Sequence, residues 1–333
     1  MNFSYSKGSG LLTLICFGVL SAYIVYKQAT NSNAIDLDRQ VVRHERMLNG
    51  DSEFFNPWQY RIFSTYVVEG FYQGMHSIIS QLDYIKVFLI FRILQNIFIF
   101  YIAALYFKAL SIQNPWLILS GILILGFSMA HSVFQSDLSI NTYFDILFYL
   151  LGAWCILKQK YIWIVPLMLA AVLNRETSLL IPAMLVIPFI RWKERTIPRN
   201  ILFIGGLATG VFFLGFVLVR IYYGYRSSEG INGMKTFLDY LTFNIRYMMV
   251  YPELFGTLAF IPLVVLVFLR RLPRILQQWF WIVCPAWFGI HLIYSTIVES
   301  RLFLVPQALI FIPAFLWLIE NWYSTEIKVE NPT

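Results

Sequence analysis

The stretch AIDLDRQ places two carboxylates, Asp36 and Asp38, two residues apart. Ionised oxygens at that spacing can take the proton of an acceptor hydroxyl or bind a divalent cation. The same pattern also caps helices in loops that carry no chemistry. On its own helical face Asp36 is followed, one and two turns on, by Arg39 and Arg43. Further along, NRET sets Arg175 beside Glu176, and VESRLFLVP sets Glu299 two residues before Arg301. A guanidinium offers a planar fork of donors to phosphate oxygens and stays charged when partly desolvated. In that arrangement Glu176 and Glu299 would hold the guanidinium groups of Arg175 and Arg301. The plainer reading of each pair is interfacial charge, or a helix cap with Thr177 in the capping role. Asp145, in SDLSINTYFDILFYLL, lies inside an apolar run. A charge costs about 2.5–3.5 kcal/mol at mid-span on insertion scales, so Asp145 is expected to face the interior of a bundle. Asp137 stands just ahead of the same run.

The elements that must position these groups follow from composition. Of 333 residues 59% are hydrophobic and 13% charged, with a mean hydropathy of +0.65, which excludes an ordinary soluble globule and points to a polytopic membrane protein. The net charge of +7 sits in short basic clusters between apolar runs, so it reads as a topology signal and not as a nucleic-acid surface. Cys16, Cys155 and Cys284 all lie in apolar runs without pairing or metal-ligand spacing, and are expected to be buried thiols.

Apolar runs fall at 11–26, 85–108, 115–131, 142–157, 161–173, 177–190, 200–222, 254–269, 277–295 and 302–319, which makes ten spans. The first resembles a signal peptide, but it is longer than a usual hydrophobic region and no small-residue cleavage site follows closely, so it reads as an uncleaved span. With the N-terminus in the cytoplasm, the short cytoplasmic connections and the tail collect twelve Lys and Arg against four Asp and Glu. The other side holds thirteen against fourteen. One extra crossing would export RWKERTIPRN, against the positive-inside rule. Both termini are therefore cytoplasmic, and Asp36, Asp38, Glu69, Asp145, Arg175, Glu176, Glu299 and Arg301 gather on the external side.

The expected fold is all-α: a single transmembrane domain over 1–333, a helical bundle of about ten spans, with extracytoplasmic loops at 28–84 and 223–253. The first loop reads as two interfacial helices. In one, Ala34, Leu37, Val41 and Leu48 form an apolar stripe, and Arg39, Arg43 and Arg46 a basic one, fit either for a substrate phosphate or for lipid headgroups. The other begins at NPWQY, with Asn56 as cap and Pro57 at the first helical position, and passes through Arg61. Its polar stripe of Thr65, Glu69, Gln73, His76 and Ser80 suits a cavity wall or a solvated face.

Taken together, the long helical first loop with Asp-x-Asp, PWQYRIF, FDILFYLL, NRETSLLIP and ESRLFLVP resemble the GT-C superfamily of integral membrane glycosyltransferases, and more closely the bacterial membrane proteins found with surface-polysaccharide genes. The resemblance implies transfer of a sugar from a polyprenyl-phosphate carrier to a saccharide or lipid acceptor on the outer face of the bacterial cytoplasmic membrane. By the same resemblance Asp36 or Asp38 is the catalytic acid of the loop. Arg175 and Arg301 would hold the carrier phosphate, and Arg39, Arg43, Arg61, Glu69, His76, Asp145, Glu176 and Glu299 would complete the substrate site. No cofactor is dictated; a divalent cation is compatible with the Asp pair, but the long acidic metal-binding cluster of better-known members is missing, as is their soluble C-terminal domain. A transporter or flippase of a lipid-linked or anionic solute, and a non-catalytic envelope scaffold, are the alternatives. A transporter would need charges near mid-membrane on broken helices, where Arg92 is the one strong candidate.

Overall fold

In a medium without water the backbone can satisfy its N–H and C=O groups only within the segment or around a closed barrel. This chain takes the helical solution: the computed structural model has no β-strand among the described residues. The structure describes residues 7–30, 36–51, 58–132, 138–190, 194, 196–224, 234 and 236–330. Ala34, Asn56, Pro57, Asp137, most of RWKER and much of 225–235 lie outside them. Five helices are long and apolar enough to cross a membrane, and a sixth arises if one bent pair is a single span. The protein is thus a helical membrane protein, and the other expected runs form shorter or less apolar helices.

The long helices are α1 (Lys7–Thr30), α4 (Tyr84–Ala109), α6 (Ile140–Leu157), α9 (Arg199–Tyr223) and α14 (Ser300–Trp322). Between them come α2 (Leu37–Leu48), α3 (Ile62–Ile78), α5 (Pro115–His131), α7 (Ile164–Val172), α8 (Leu180–Val186), α10 (Phe237–Arg246), α11 (Val250–Leu258), α12 (Ile261–Val267) and α13 (Arg274–Tyr294). The run 161–190 is not one long helix. It breaks at NRET and returns, so that Tyr161 at its start packs edge-on against Phe189 at its end. Both arms press on α9, where a Cβ on Gly215 would lie 2.6 Å from Val172 and one on Gly205 2.3 Å from Val186. Only glycine allows that approach.

Polar contacts mark two ends of the bundle. At one, Gln28 of α1 reaches Met129 and Tyr143, Asn174 reaches Asn141, Arg220 of α9 reaches Glu176, and Thr257 donates to Ser300. At the other, Glu320 of α14 accepts from the backbone of Gln113 and Asn114 ahead of α5. Lys108, Lys158 and Lys160 belong to this second, basic end. Between the ends the core is aromatic, and its polar tips are satisfied at helix irregularities. The Tyr106 hydroxyl donates to the Leu309 carbonyl, 2.6 Å away inside the π-helical turn Gln307–Phe311, and Trp279 Nε1 donates to Met184 near the end of α8. Cys155 and Cys284 are buried as expected, but Cys16 lies on the exposed face of α1.

Candidate functional site

The break between α7 and α8 builds the polar end. The helix stops at Val172, and Asn174 and Arg175 both donate backbone N–H to Ala171, at 3.1 and 2.9 Å. The freed carbonyl of Leu173 accepts from Phe63 at 3.0 Å, which pins the start of α3, and so Arg61, against NRET. Thr177, expected as a cap, lies inside the 3-10 turn Glu176–Leu179, and its hydroxyl has no partner.

Arg175 is 5% exposed and Asp145 1% exposed. Arg175 Nη1 stands 3.2 Å from Asp145 Oδ2, and Nη2 donates to Thr142 Oγ1 at 3.2 Å. Asn174 Nδ2 donates to Asp145 Oδ1 at 2.7 Å and to the Asn141 carbonyl at 2.8 Å. Asp145 therefore faces the interior, as its place in an apolar run requires. Glu176, however, does not hold its neighbour. Adjacent residues at this break point apart, and Glu176 instead accepts from Arg220 Nη2 at 3.1 Å and lies 3.6 Å from Arg61 Nη2. Arg220 in turn lies over the rings of Tyr60 and Phe216. Glu299 does hold Arg301, at 2.7 Å. Arg61, Arg301 and Glu176 all act on the Arg175 charge through space, and His291 of α13 lies in the field of Arg61 and Arg175.

Four guanidinium groups thus converge on three carboxylates. The balance leaves donor capacity unused: Arg175 Nε and Nη1 and Arg61 Nε are buried without a hydrogen-bond acceptor, since the 3.2 Å ion pair to Asp145 is not aligned as a hydrogen bond. Buried donors are usually satisfied, so several on one site call for a reason. Arg61 also lines a cleft with Gln40, Arg43, His44, Trp58 and Asn141, formed where α2 crosses the start of α3 and α6. Arg43 and Arg61 both lie over the Trp58 ring, at 4.8 and 5.7 Å.

The basic stripe of α2 does not act as one surface. Arg39 pairs with Asp36, Arg46 with Asp51, and Arg43 alone of the three turns to the cleft. Asp36 is the N-cap of α2, accepting from Arg39 N–H at 3.0 Å, and both it and Asp38 are exposed and outside the cleft lining. His76 stacks on Tyr72 and meets the Leu82 carbonyl, away from the arginines. Glu69 forms a second cluster: His44 Nε2 is 2.9 Å from its carboxylate, Gln73 donates at 2.6 Å and the Tyr84 hydroxyl at 3.4 Å. Burial opposes its ionisation, but hydrogen bonds from Gln73 and His44 hold the carboxyl below its ordinary value. Among the described residues no group of three or more His, Cys, Asp or Glu is placed to hold a metal.

Residues not singled out by motif are Arg220, Asn174, Asn141, Thr142, His44 and His291. Arg220 carried a usable signal, an arginine one turn from the end of an apolar run. The buried amides and Thr142 carried none. Comparisons of the chain with protein-family models, with curated proteins and with solved structures find no match.

Proposed function

We propose that the chain is a membrane glycosyltransferase of the GT-C kind, moving a sugar from a polyprenyl-phosphate carrier to an acceptor at the polar end, which faces outside the cytoplasm. The carrying observation is that Arg61 Nε and Arg175 Nε are buried without a protein acceptor where four guanidinium groups meet three carboxylates. A phosphate is the ligand chemistry such a set fits, because each guanidinium can meet two of its oxygens. In this reading Arg61 and Arg175 grip the phosphate, Arg301 adds charge, and Asp145 and Glu176 hold the forks in place.

The short arms of the NRET hairpin support a lipid-linked donor. Tyr161–Val172 and Glu176–Phe189 reach about 18 and 21 Å at 1.5 Å per residue, against a hydrocarbon core of about 30 Å. If both arms start at the cytoplasmic surface, NRET sits roughly 10 Å below the outer one, where a carrier phosphate can enter sideways. Counting each such arm, the bent pair α11–α12, α5 and α13 as crossings gives the ten-span topology, which the charge asymmetry also favours.

For transfer, an acceptor oxygen attacks the anomeric carbon, the bond to the phosphate oxygen breaks, and a base takes the hydroxyl proton. His44, oriented by Glu69 and lining the cleft beside Arg61, is the base best placed in this reading; Asp36 and Asp38 are the alternative implied by resemblance. The test is transfer of radiolabelled sugar from polyprenyl-phosphate donors to saccharide or lipid acceptors in proteoliposomes, by the parent, His44→Asn and Asp36→Asn/Asp38→Asn. A base variant should lose about 10²- to 10⁴-fold. No transfer by the parent from any such donor sinks the proposal.

One observation favours a second reading. Breaks at NRET and between α11 and α12, with a buried ion pair at the first, are the features of a transporter. Movement of donor lipid across the bilayer without sugar transfer would select it.

A further inference from the structure

At the basic end, α12 and α14 diverge to leave a groove unrelated to the arginine–carboxylate site. The divergence starts at Ala259, whose φ of 53° is left-handed and whose neighbourhood bends α11 against α12 by 70°. Phe260 of the bend packs edge-on against Phe315 of α14, closing one end. Below that contact, Val264 of α12 and Phe268 just beyond it face Phe315, Leu318 and Trp322 of α14 across an apolar channel with Arg271 at its mouth. Arg271 lies over the Phe268 ring at 5.2 Å, which keeps its guanidinium at the channel. Trp322 stands 21 residues beyond Arg301, roughly 30 Å along the helix, so the mouth is at the opposite membrane surface from the candidate site.

Among the residues whose side chains are described, charge at the mouth is one-sided. Arg270 and Arg274 flank Arg271, and among the described residues none of the three forms an ion pair with a carboxylate. Glu320, the carboxylate on the adjoining turn of α14, accepts from the backbone N–H groups of Gln113 and Asn114 and so turns towards α5. An apolar channel that opens to lipid beneath an arginine fork matches one occupant: a chain fills the channel and a phosphate meets the fork. A zwitterionic headgroup would bring a cation to three arginines.

We infer that this groove is a binding site for an anionic phospholipid, with one acyl chain between α12 and α14 and the phosphate on Arg271. The test is native mass spectrometry of the purified full chain with phosphatidylglycerol and phosphatidylcholine of identical chains, singly and in competition, beside Arg271→Gln, Arg271→Lys and the groove-filling Val264→Trp. The parent should retain phosphatidylglycerol about fivefold or more over phosphatidylcholine, a preference that Arg271→Gln removes and Arg271→Lys partly keeps. Val264→Trp should weaken retention of both lipids with no change in preference. Equal retention of the two lipids by the parent overturns the inference, as does an undiminished preference in Arg271→Gln. Displacement of phosphatidylglycerol by glycerol phosphate at equal concentration overturns it too, because the headgroup alone would then suffice and the groove would do nothing. Melting temperatures of the variants within about 2 °C of the parent exclude misfolding as the cause of a loss.

Discussion

Replacing Arg175 by Met removes the charge while keeping much of the side chain's length, and it strands Asp145. At the observed 3.2 Å the attraction between the two charges is about 5 kcal/mol with an effective dielectric constant of 20. Part of this is returned, since the variant no longer desolvates a guanidinium or sets it against Arg61 and Arg301. What remains is a carboxylate 1% exposed with Asn174 as its donor, and losing one partner of such a pair costs about 3–5 kcal/mol. At about 2 °C per kcal/mol, near the value for long chains, the melting temperature should fall by about 6–10 °C. Asp145→Asn added to Arg175→Met removes the stranded charge, so the double variant should recover most of the loss. Thermal unfolding in mild detergent, followed by tryptophan fluorescence, measures both. A fall under 2 °C for Arg175→Met, or a double variant no more stable than the single one, would show that the pair is not buried as described.

Two further outcomes follow from the geometry. An impermeant thiol reagent added outside intact cells should label Ser80→Cys, exposed at the polar end, and not Thr196→Cys, exposed near the basic end; Ser178→Cys, at a position buried against Arg175, should stay unlabelled. The Glu69 carboxyl is held below its ordinary value of 4.5, so its contribution to docking α2 is complete above about that pH and is lost as pH falls through the lowered value. The parent should lose stability below about pH 4.5, and Glu69→Gln should flatten that part of the melting-temperature profile; an unchanged acid limb would rule the contact out.

The helical segments were largely legible in the sequence because, in lipid, hydropathy reads burial and helix length directly. The run 115–131 became Pro115–His131 capped by Asn114, and the two short runs flanking NRET became the arms of a hairpin. Arg175 and Arg301 were visible as isolated cations in apolar surroundings, and the structure buries both. Their partners were not legible. Nothing local couples Asp145 to Arg175 across thirty residues, or Glu176 to Arg61 and Arg220, because these pairings depend on how α3, α6 and α9 meet at the break. Asp-x-Asp is ambiguous for a local reason. A carboxylate just before an amphipathic helix satisfies backbone N–H groups whether or not it has other work, and Asp36 does so here.

Binding of a lipid phosphate by the convergent arginines underlies the proposed function. Its most direct measurement is the affinity of undecaprenyl phosphate for the purified parent, Arg61→Lys, Arg175→Lys and Arg301→Lys, with melting temperatures taken on the same samples. Lysine keeps the charge and loses the two-pronged donor, so Arg61→Lys and Arg175→Lys should each bind at least about tenfold more weakly while remaining folded, and Arg301→Lys, which mainly adds charge, should bind nearly as the parent does. Parent-like affinity in both Arg61→Lys and Arg175→Lys would contradict the account and leave these charges as packing between helices.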